Sequence, residues 1–273
     1  LPRDLQSLAR YLDEIEWDLF YLPETGSTMS LARERVGKGL KRNLLVITDY
    51  QRAGRGRRGR RWFAPPRKNI LVSLVTRPDP SDHLTLYSLN AAASGVLSLR
   101  MLLEEDSSLS VKSGEVWSKW PNDIYWGERK AGGVLGETGR DRDGRLWLII
   151  GVGINLNLRK EELPDELEGE ATGFFMETGK DAERGRVVEG FMESFRSGIA
   201  LLGESPERLI ERWEALSRTP GAEVSVRTER EVIVGRATGL DGRGFLRIIT
   251  PDGRLRVVQT GEVYHLRHRN AAD

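Results

Sequence analysis

Apolar positions along this chain recur at two spacings, and the change from one to the other divides it into elements. Residues 4–12 put Leu5, Leu8 and Leu12 on one helical face, which predicts a short opening helix. Residues 44–48 (LLVIT) and 69–76 (NILVSLVT) are compact runs rich in β-branched residues and predict two buried strands. Between them QRAGRGRRGRRW has no hydrophobic period and reads as a loop. A long helical pattern then runs from Leu84 through Tyr87, Ala91, Gly95 and Leu99 to Leu102. Ser81 and Asp82 stand just before it, where capping side chains are favoured.

From Val116 to Leu158 the pattern becomes strand-like. Residues 122–126 are followed by a turn at Gly127-Glu128-Arg129, and the runs 131–137 and 146–152 flank a second turn at Arg142-Asp143-Gly144, which predicts an antiparallel meander. Helices are expected over 186–202 and 206–217, the second opened by Pro206. The acidic stretch 161–170 reads as a solvated loop. The tail, 223–266, is a series of short β-rich runs (VSVRT, EVIVGRATGL, FLRIIT, RVVQTGEVYHL) broken at Asp241-Gly242 and Asp252-Gly253, a spacing that suits a small barrel of SH3-like size. Thr219-Pro220-Gly221 is the natural cut, giving a domain at 1–219 and a smaller one at 220–273.

Charge alters this picture little. The 42 basic and 41 acidic residues nearly cancel, so any argument for a charged partner rests on local clusters. Cysteine is absent, which excludes a disulfide framework, a thiolate nucleophile and cysteine-ligated zinc, and fits a reducing compartment. No uninterrupted apolar run reaches the roughly 18 residues of a membrane helix, and no signal-peptide pattern opens the chain, so a cytoplasmic protein with no membrane partner is expected.

The strongest local cluster is GRGRRGRRW, residues 54–62. Six arginines lie between Arg52 and Arg61, interleaved with Gly54, Gly56 and Gly59. Guanidinium forks match phosphate oxygens, and glycines let backbone approach an anion, so the loop could cradle a nucleotide's phosphates or a carboxylate about to meet one. The glycines also fit the G-x-G-x-x-G fingerprint, but that site needs a helix at once, whereas Phe63-Ala64-Pro65-Pro66 cannot open one. A Walker loop lacks its Gly-Lys-Ser/Thr. A basic loop for nucleic acid remains open on these residues alone.

Further on stand KWPND (119–123), RKAGGVLGE (129–137) and GVGINLN (151–157). Singly, each has a plain reading as a turn, a hairpin lysine or a crowded strand end. In this order, with ETGSTM (24–29) and the loop from Gln51 to Trp62, they resemble the biotin–protein ligase family over nearly the whole chain.

That resemblance implies an α+β catalytic domain, a mixed β-sheet flanked by helices akin to class II aminoacyl-tRNA synthetases and lipoate ligases, followed by a small SH3-like β-barrel. It implies ATP and biotin as substrates, Mg2+, and a two-step reaction through biotinyl-5'-AMP to a lysine of a biotin carboxyl carrier domain. Lys130 matches the lysine that contacts the biotin carboxylate and the α-phosphate. Arg55 and Arg57 lie in the loop that closes over biotin and adenylate, and Arg60 assists with phosphates. Ser27, Thr28 and Gln51 are the polar partners of biotin, with backbone at Gly54, Gly56 and Gly133. Met29 stands where the family often has Asn, so only a backbone contact would survive there. Trp62 matches an aromatic that packs on adenine. Asn122 and Asp123 fit the positioning of nucleotide or magnesium, Asp123 the more weakly as a metal ligand, and Asn155 the triphosphate end. His83, His265 and His268 read as surface or packing residues.

Only about two dozen residues precede Glu24, too few for a helix-turn-helix module, so the form of the family without a DNA-binding domain, and no DNA partner, is expected. The resemblance also implies a homodimer. Lipoate activation is the enzymatic rival, and the Arg loop and C-terminal β domain favour biotin over it.

Overall fold

The computed structural model describes residues 1–79 and 83–266. After a single 3-10 turn at Arg3–Leu5, helix α1 (Gln6–Glu14) presents Leu8 and Leu12 to the core as their spacing predicts. The larger, seven-stranded sheet is then built from β1 (Trp17–Thr25), β2 (Asn43–Gln51), β3 (Ile70–Thr76), β4 (Val116–Lys119), β5 (Asp123–Trp126), β6 (Arg129–Arg140) and β7 (Leu146–Ile154). Helix α2 (Thr28–Lys38) joins β1 to β2, and α3 (Leu84–Glu105) joins β3 to β4. The strand order is β1-β2-β3-β7-β6-β5-β4. β1 and β2 are parallel, which a crossover helix allows, and every other pairing is antiparallel, so the sheet is mixed. Residues 116–154 form the expected meander.

Both faces of the central strands are buried, and their residues alternate between two cores. Leu45 and Ile47 of β2, with Leu148, Ile150 and Val152 of β7, join the large core under α3, α5 (Arg184–Glu204) and α6 (Pro206–Ala215). Leu44 and Val46 of β2, with Trp147 and Ile149 of β7, point the other way, against Met29, Ala32 and Val36 of α2. Helix α3 is long and apolar enough to cross a membrane by length and composition, but it is a buried core helix here. It begins after His83 with no side-chain cap; Ser81 and Asp82, expected as caps, lie outside the described residues.

Two expectations need correction. Residues 161–170 are not merely a solvated loop: they contain 3-10 turns at Lys160–Glu162 and Asp165–Leu167, and Ala171 bridges Lys130 of β6. A short helix α4 (Phe174–Thr178) follows. The strand β1 was not expected, because Asp18, Pro23 and Glu24 interrupt its apolar pattern; it lies at a sheet edge, where such residues are tolerated.

The tail, expected to be β-rich, folds into a five-stranded antiparallel sheet: β8 (Glu223–Arg227), β9 (Val232–Leu240), β10 (Leu246–Ile249), β11 (Leu255–Val258) and β12 (Glu262–His265), in the order β11-β10-β9-β8-β12. Its inward residues, among them Val224, Val226, Leu246 and Ile248, belong to the same large core as Leu209 and Trp213 of α6. Trp120 Nε1 donates to the Gly244 carbonyl at 3.0 Å, and Leu240 N to Glu214 Oε1 at 2.8 Å. These contacts hold the end of β12 over the β4 edge of the larger sheet, where His265 stacks on Trp117 at 5.3 Å between ring centroids.

Candidate active site

The second face of the larger sheet is covered by α2 over only half its width. Along β7 the residues pointing to that side are Trp147, Ile149, Gly151 and Gly153: two large side chains under α2, then two glycines. The loss of side-chain volume at those glycines makes room for other groups. A Cβ on Gly151 would lie 2.7 Å from Met29 Sδ, and one on Gly153 would lie 2.6 Å from Cε2 of the Trp62 indole. The uncovered half is a cavity of about 590 Å³, walled by the Arg loop, residues 158–171 and the β12 end of the C-terminal sheet.

The cavity's floor at the α2 end is apolar, from Met29 and Gly151, with three polar side chains at its rim: Ser27, Thr28 and Gln51. Ser27 occupies the N-cap position of α2 but makes no capping bond; Gln51 Oε1 instead accepts from Thr28 N at 2.8 Å and Thr28 Oγ1 at 3.1 Å. The Ser73 hydroxyl in turn donates to Thr28 Oγ1 at 2.8 Å. This fixed chain of bonds orients polar groups over an apolar floor, which suits a ligand with an apolar body and a polar end.

Further along, the strand registers set a grid of charged and aromatic side chains. Trp117 pairs with Tyr125, Lys119 with Asp123, Tyr125 with Lys130 and Asp123 with Gly133, so these side chains share the cavity face. A register shift between Ile124 and Tyr125 brings Lys130 Nζ to 2.6 Å from Asp123 Oδ1. Gly133 leaves the space for that pair, since its Cβ would meet Lys130 Cε at 3.3 Å and Asp123 Oδ1 at 3.4 Å. Lys119, which sequence reasoning left without a role, donates to the Tyr125 hydroxyl at 3.1 Å, and burial pulls its pKa down. Burial likewise pushes the Tyr125 phenol well above its usual range.

The Arg loop is an excursion pinned at its neck, where Trp62 N donates to the Gly54 carbonyl at 2.9 Å. Inside it Arg57–Gly59 form a 3-10 turn with Arg58 and Gly59 in the left-handed region at φ 56° and 72°, the conformation for which its glycines are suited. Arg55, Gly56, Arg57, Arg60 and Trp62 all line the cavity; Gly54 does not, and serves the neck instead, with Trp62 O 3.0 Å from where its Cβ would be. Arg55 donates to Ser30 Oγ at 3.2 Å, and Arg57 to Asn122 Oδ1 at 3.1 Å. Burial lowers the pKa of Arg57. The Trp62 Nε1–H is buried with no hydrogen-bond partner, a donor left unspent in the cavity wall.

The remaining expected residues are also here, with one qualification. Asn155 lines the cavity, but its Oδ1 accepts from Asn69 at 3.2 Å and its Nδ2 donates to the Thr172 carbonyl at 2.9 Å, so it also secures the chain beyond β7. His265 is half-buried against Trp117 and lines the cavity, which makes it more than a surface residue; His268 lies outside the described residues. Sequence reasoning missed Lys119, Tyr125, the acidic segment's Leu163 and Leu167, and the turn from Gly261 into β12.

Comparison with known proteins places this architecture. Residues 21–155 match the biotin/lipoate A/B protein ligase family, and residues 220–266 match the biotin protein ligase C-terminal domain. The chain belongs to the biotin protein ligase family. It is similar to the bifunctional ligase/repressor BirA of Bacillus spizizenii, with 30% identity over 86% of this chain and 70% of that protein. It is also similar to the biotin–[acetyl-CoA-carboxylase] ligase of Paracoccus denitrificans, with 30% identity over 89% and 98%. Among solved structures, the biotin protein ligase of Aquifex aeolicus in complex with biotin and ATP superposes with a TM-score of 0.73 at 30% identity, covering 92% of this chain and 99% of that one.

Proposed function

We propose that this chain is an ATP-dependent biotin–protein ligase, which makes biotinyl-5'-AMP and transfers the biotinyl group to a lysine of a biotin carboxyl carrier domain. The observation that carries the reading is the continuity of one cavity, from an apolar floor rimmed by Ser27, Thr28 and Gln51 to a centre holding Lys130, Arg57 and Asp123. Biotin's bicycle fits the first part and its carboxylate then points at the second.

In the first step a carboxylate oxygen attacks the α-phosphorus, the bond from that phosphorus to the bridging oxygen breaks, and pyrophosphate leaves. Two anions must approach, so fixed cations have to offset their repulsion and the charge gathering on phosphorus. Lys130 is the compact cation for this, released from Asp123 or shared with it, and Arg55, Arg57 and Arg60 supply forked donors from the loop. Trp62 packs along the bound adenylate, and Asn122 and Asn155 bound the nucleotide end. In the second step the carrier's lysine, as a free amine, attacks the acyl carbon; AMP leaves and the amine loses its proton. Burial beneath the Arg loop keeps water from the mixed anhydride between steps.

Magnesium enters this reading with the nucleotide. Among the described residues no three His, Cys, Asp or Glu side chains come together as a cage, and a lone carboxylate beside Lys130, Asp123, suits a cation held chiefly by phosphates. The metal's contribution when bound is neutralisation of phosphate charge. The same reading takes the C-terminal sheet as SH3-like with its boundary at 219/220, and the protein as a cytoplasmic homodimer that engages neither DNA nor membrane.

The test is biotin-dependent exchange of labelled pyrophosphate into ATP by the purified protein, with lipoate as the comparison substrate. Exchange with biotin is expected; exchange with lipoate alone, or with neither in a folded protein supplied with magnesium, refutes the proposal.

A further inference from the structure

Three arginines of the loop, though Arg58 and Arg60 are exposed, are tied by their guanidinium groups to the C-terminal sheet. Arg60 grips Glu262 of β12 with both ends of its fork, Nη1 to Oε1 at 2.7 Å and Nη2 to Oε2 at 2.8 Å, and Arg58 Nη1 lies 3.4 Å from the same carboxylate. Arg58 Nη2 also donates to the Arg227 carbonyl at 3.2 Å. Arg57 donates to Thr260 Oγ1 at 2.7 Å and to the Gly261 carbonyl at 3.2 Å. Three arginines from one end of the chain are thus tied to residues some two hundred positions away, and all three line the cavity together with Glu262.

The partner they hold is rigid. Gly261 is pressed against the sheet, where a Cβ would fall 2.6 Å from Val226 Cγ1, and Glu262 is registered opposite Arg227 in the β8–β12 ladder. A carboxylate gripped by a guanidinium fork presents two oxygens in the way a phosphate does, and a phosphate carries more charge. Nucleotide in this cavity and Glu262 therefore seek the same donors.

We propose that Glu262 is a positioning residue of the nucleotide site: its carboxylate holds Arg58 and Arg60 at the cavity wall in the place that nucleotide phosphate takes over. Between turnovers it keeps two adjacent cations ordered and compensated. When phosphate arrives the arginines pass to it, and the loop's tie to the C-terminal sheet loosens. The exchange is reciprocal, so a loop held by Glu262 binds nucleotide less tightly than one that is not. This inference rests on the reading that nucleotide occupies the cavity.

Glu262→Gln tests it, because the amide keeps the shape and an acceptor but removes the charge. Competition predicts that KM for ATP in pyrophosphate exchange falls about two- to fivefold, the scale of a half-exposed ion pair, while KM for biotin stays put. In an Arg60→Gln background the same change should have a clearly smaller effect, since the bidentate donor is gone and only the longer Arg58 contact is left to contest. Glu262→Asp, which keeps the charge but withdraws it by one methylene, should lie between wild type and Glu262→Gln, and serves if the amide variant folds poorly. A KM for ATP that rises or does not move in Glu262→Gln, or a fall that persists undiminished without Arg60, overturns the proposal. Exchange by the unaltered protein is measured first; if that is absent, the nucleotide reading itself has failed, whereas normal exchange with a flat Glu262 series removes this inference alone.

Discussion

Replacing Gly153 by Ala puts a methyl group where the Trp62 indole now rests. The added carbon would lie 2.6 Å from Cε2 and 2.8 Å from both Cζ2 and Nε1. Neither side yields easily. The strand is paired on both flanks, Gly153 with Leu71 of β3 and with Gly133 of β6, and an indole moves only as a plate. Overpacking of this kind costs about 1–3 kcal/mol. Because the open direction for Trp62 is the cavity, most of that cost should appear in substrate binding and chemistry, as a loss of roughly 5- to 150-fold in kcat/KM for adenylate formation. Gly151→Ala is the internal control. Its Cβ would come as close, 2.7 Å from Met29 Sδ, but methionine can re-route through other rotamers, so a loss of less than about 1.5 kcal/mol is expected. Pyrophosphate exchange across a range of biotin and ATP concentrations, with thermal melts of each variant, separates the cases. If Gly153→Ala keeps kcat/KM within twofold of wild type, or if Gly151→Ala is the more damaging, Trp62 is not seated on that glycine in the way argued and its tie to the site fails.

Two further outcomes follow from the same geometry. Lys130→Ala should lose adenylate formation by about two orders of magnitude or more, as removal of a charged transition-state donor does, while leaving the melting temperature nearly unchanged; near-normal exchange would sink its assignment. His265 bears on acid stability, since burial first, then the charge of Lys119, holds its pKa below the unperturbed 6.5. Glu128 opposes the shift and Arg218 adds to it. As pH falls through 6.5 the unfolded chain takes up this proton before the folded one, so stability is full above 6.5 and drains away from there down to the lowered folded value. His265→Phe keeps a ring on Trp117 but cannot be protonated, so its melting temperature should fall less steeply on the acid side; an identical slope in the variant would assign the effect to other groups.

Much of this molecule was legible in the sequence where a local rule governs. The meander from β4 to β7 announced itself through short strand-like runs separated by turn residues, and the Arg loop through composition. What stayed hidden depends on partners distant along the chain. β1 lacks an apolar rhythm because an edge strand parallel to β2 needs to bury little, and Asp18 and Pro23 are tolerated there. Residues 161–170 looked solvated because acidic residues outnumber the leucines, yet Leu163 and Leu167 line the cavity together with Glu166 and Glu170. Lys119 could have been found: reading VWSK as a strand places Trp117 and Lys119 on one face, and the turn that follows brings Asp123 and Tyr125 opposite them.

The electrostatics of the site explain why its residue types were readable while their arrangement was not. The cavity proposed to receive phosphates and a carboxylate concentrates cations, and a concentration of cations is visible in composition. Left uncompensated, those cations would repel one another, so the fold supplies carboxylates to hold them: Asp123 on Lys130 and Glu262 on Arg60 and Arg58. The first lies seven residues from its partner and shares a hairpin with it; the second lies more than two hundred residues away and reaches its arginines only because the C-terminal sheet docks beside β4. The carboxylate that shares a hairpin with its cation belongs to the motif and could be read from it, and the distant one could not. By the same logic the C-terminal sheet does more than pack against the catalytic domain, since it completes the charge balance of the cavity, and cutting the chain at residue 219 would leave Arg58 and Arg60 without the carboxylate that orders them.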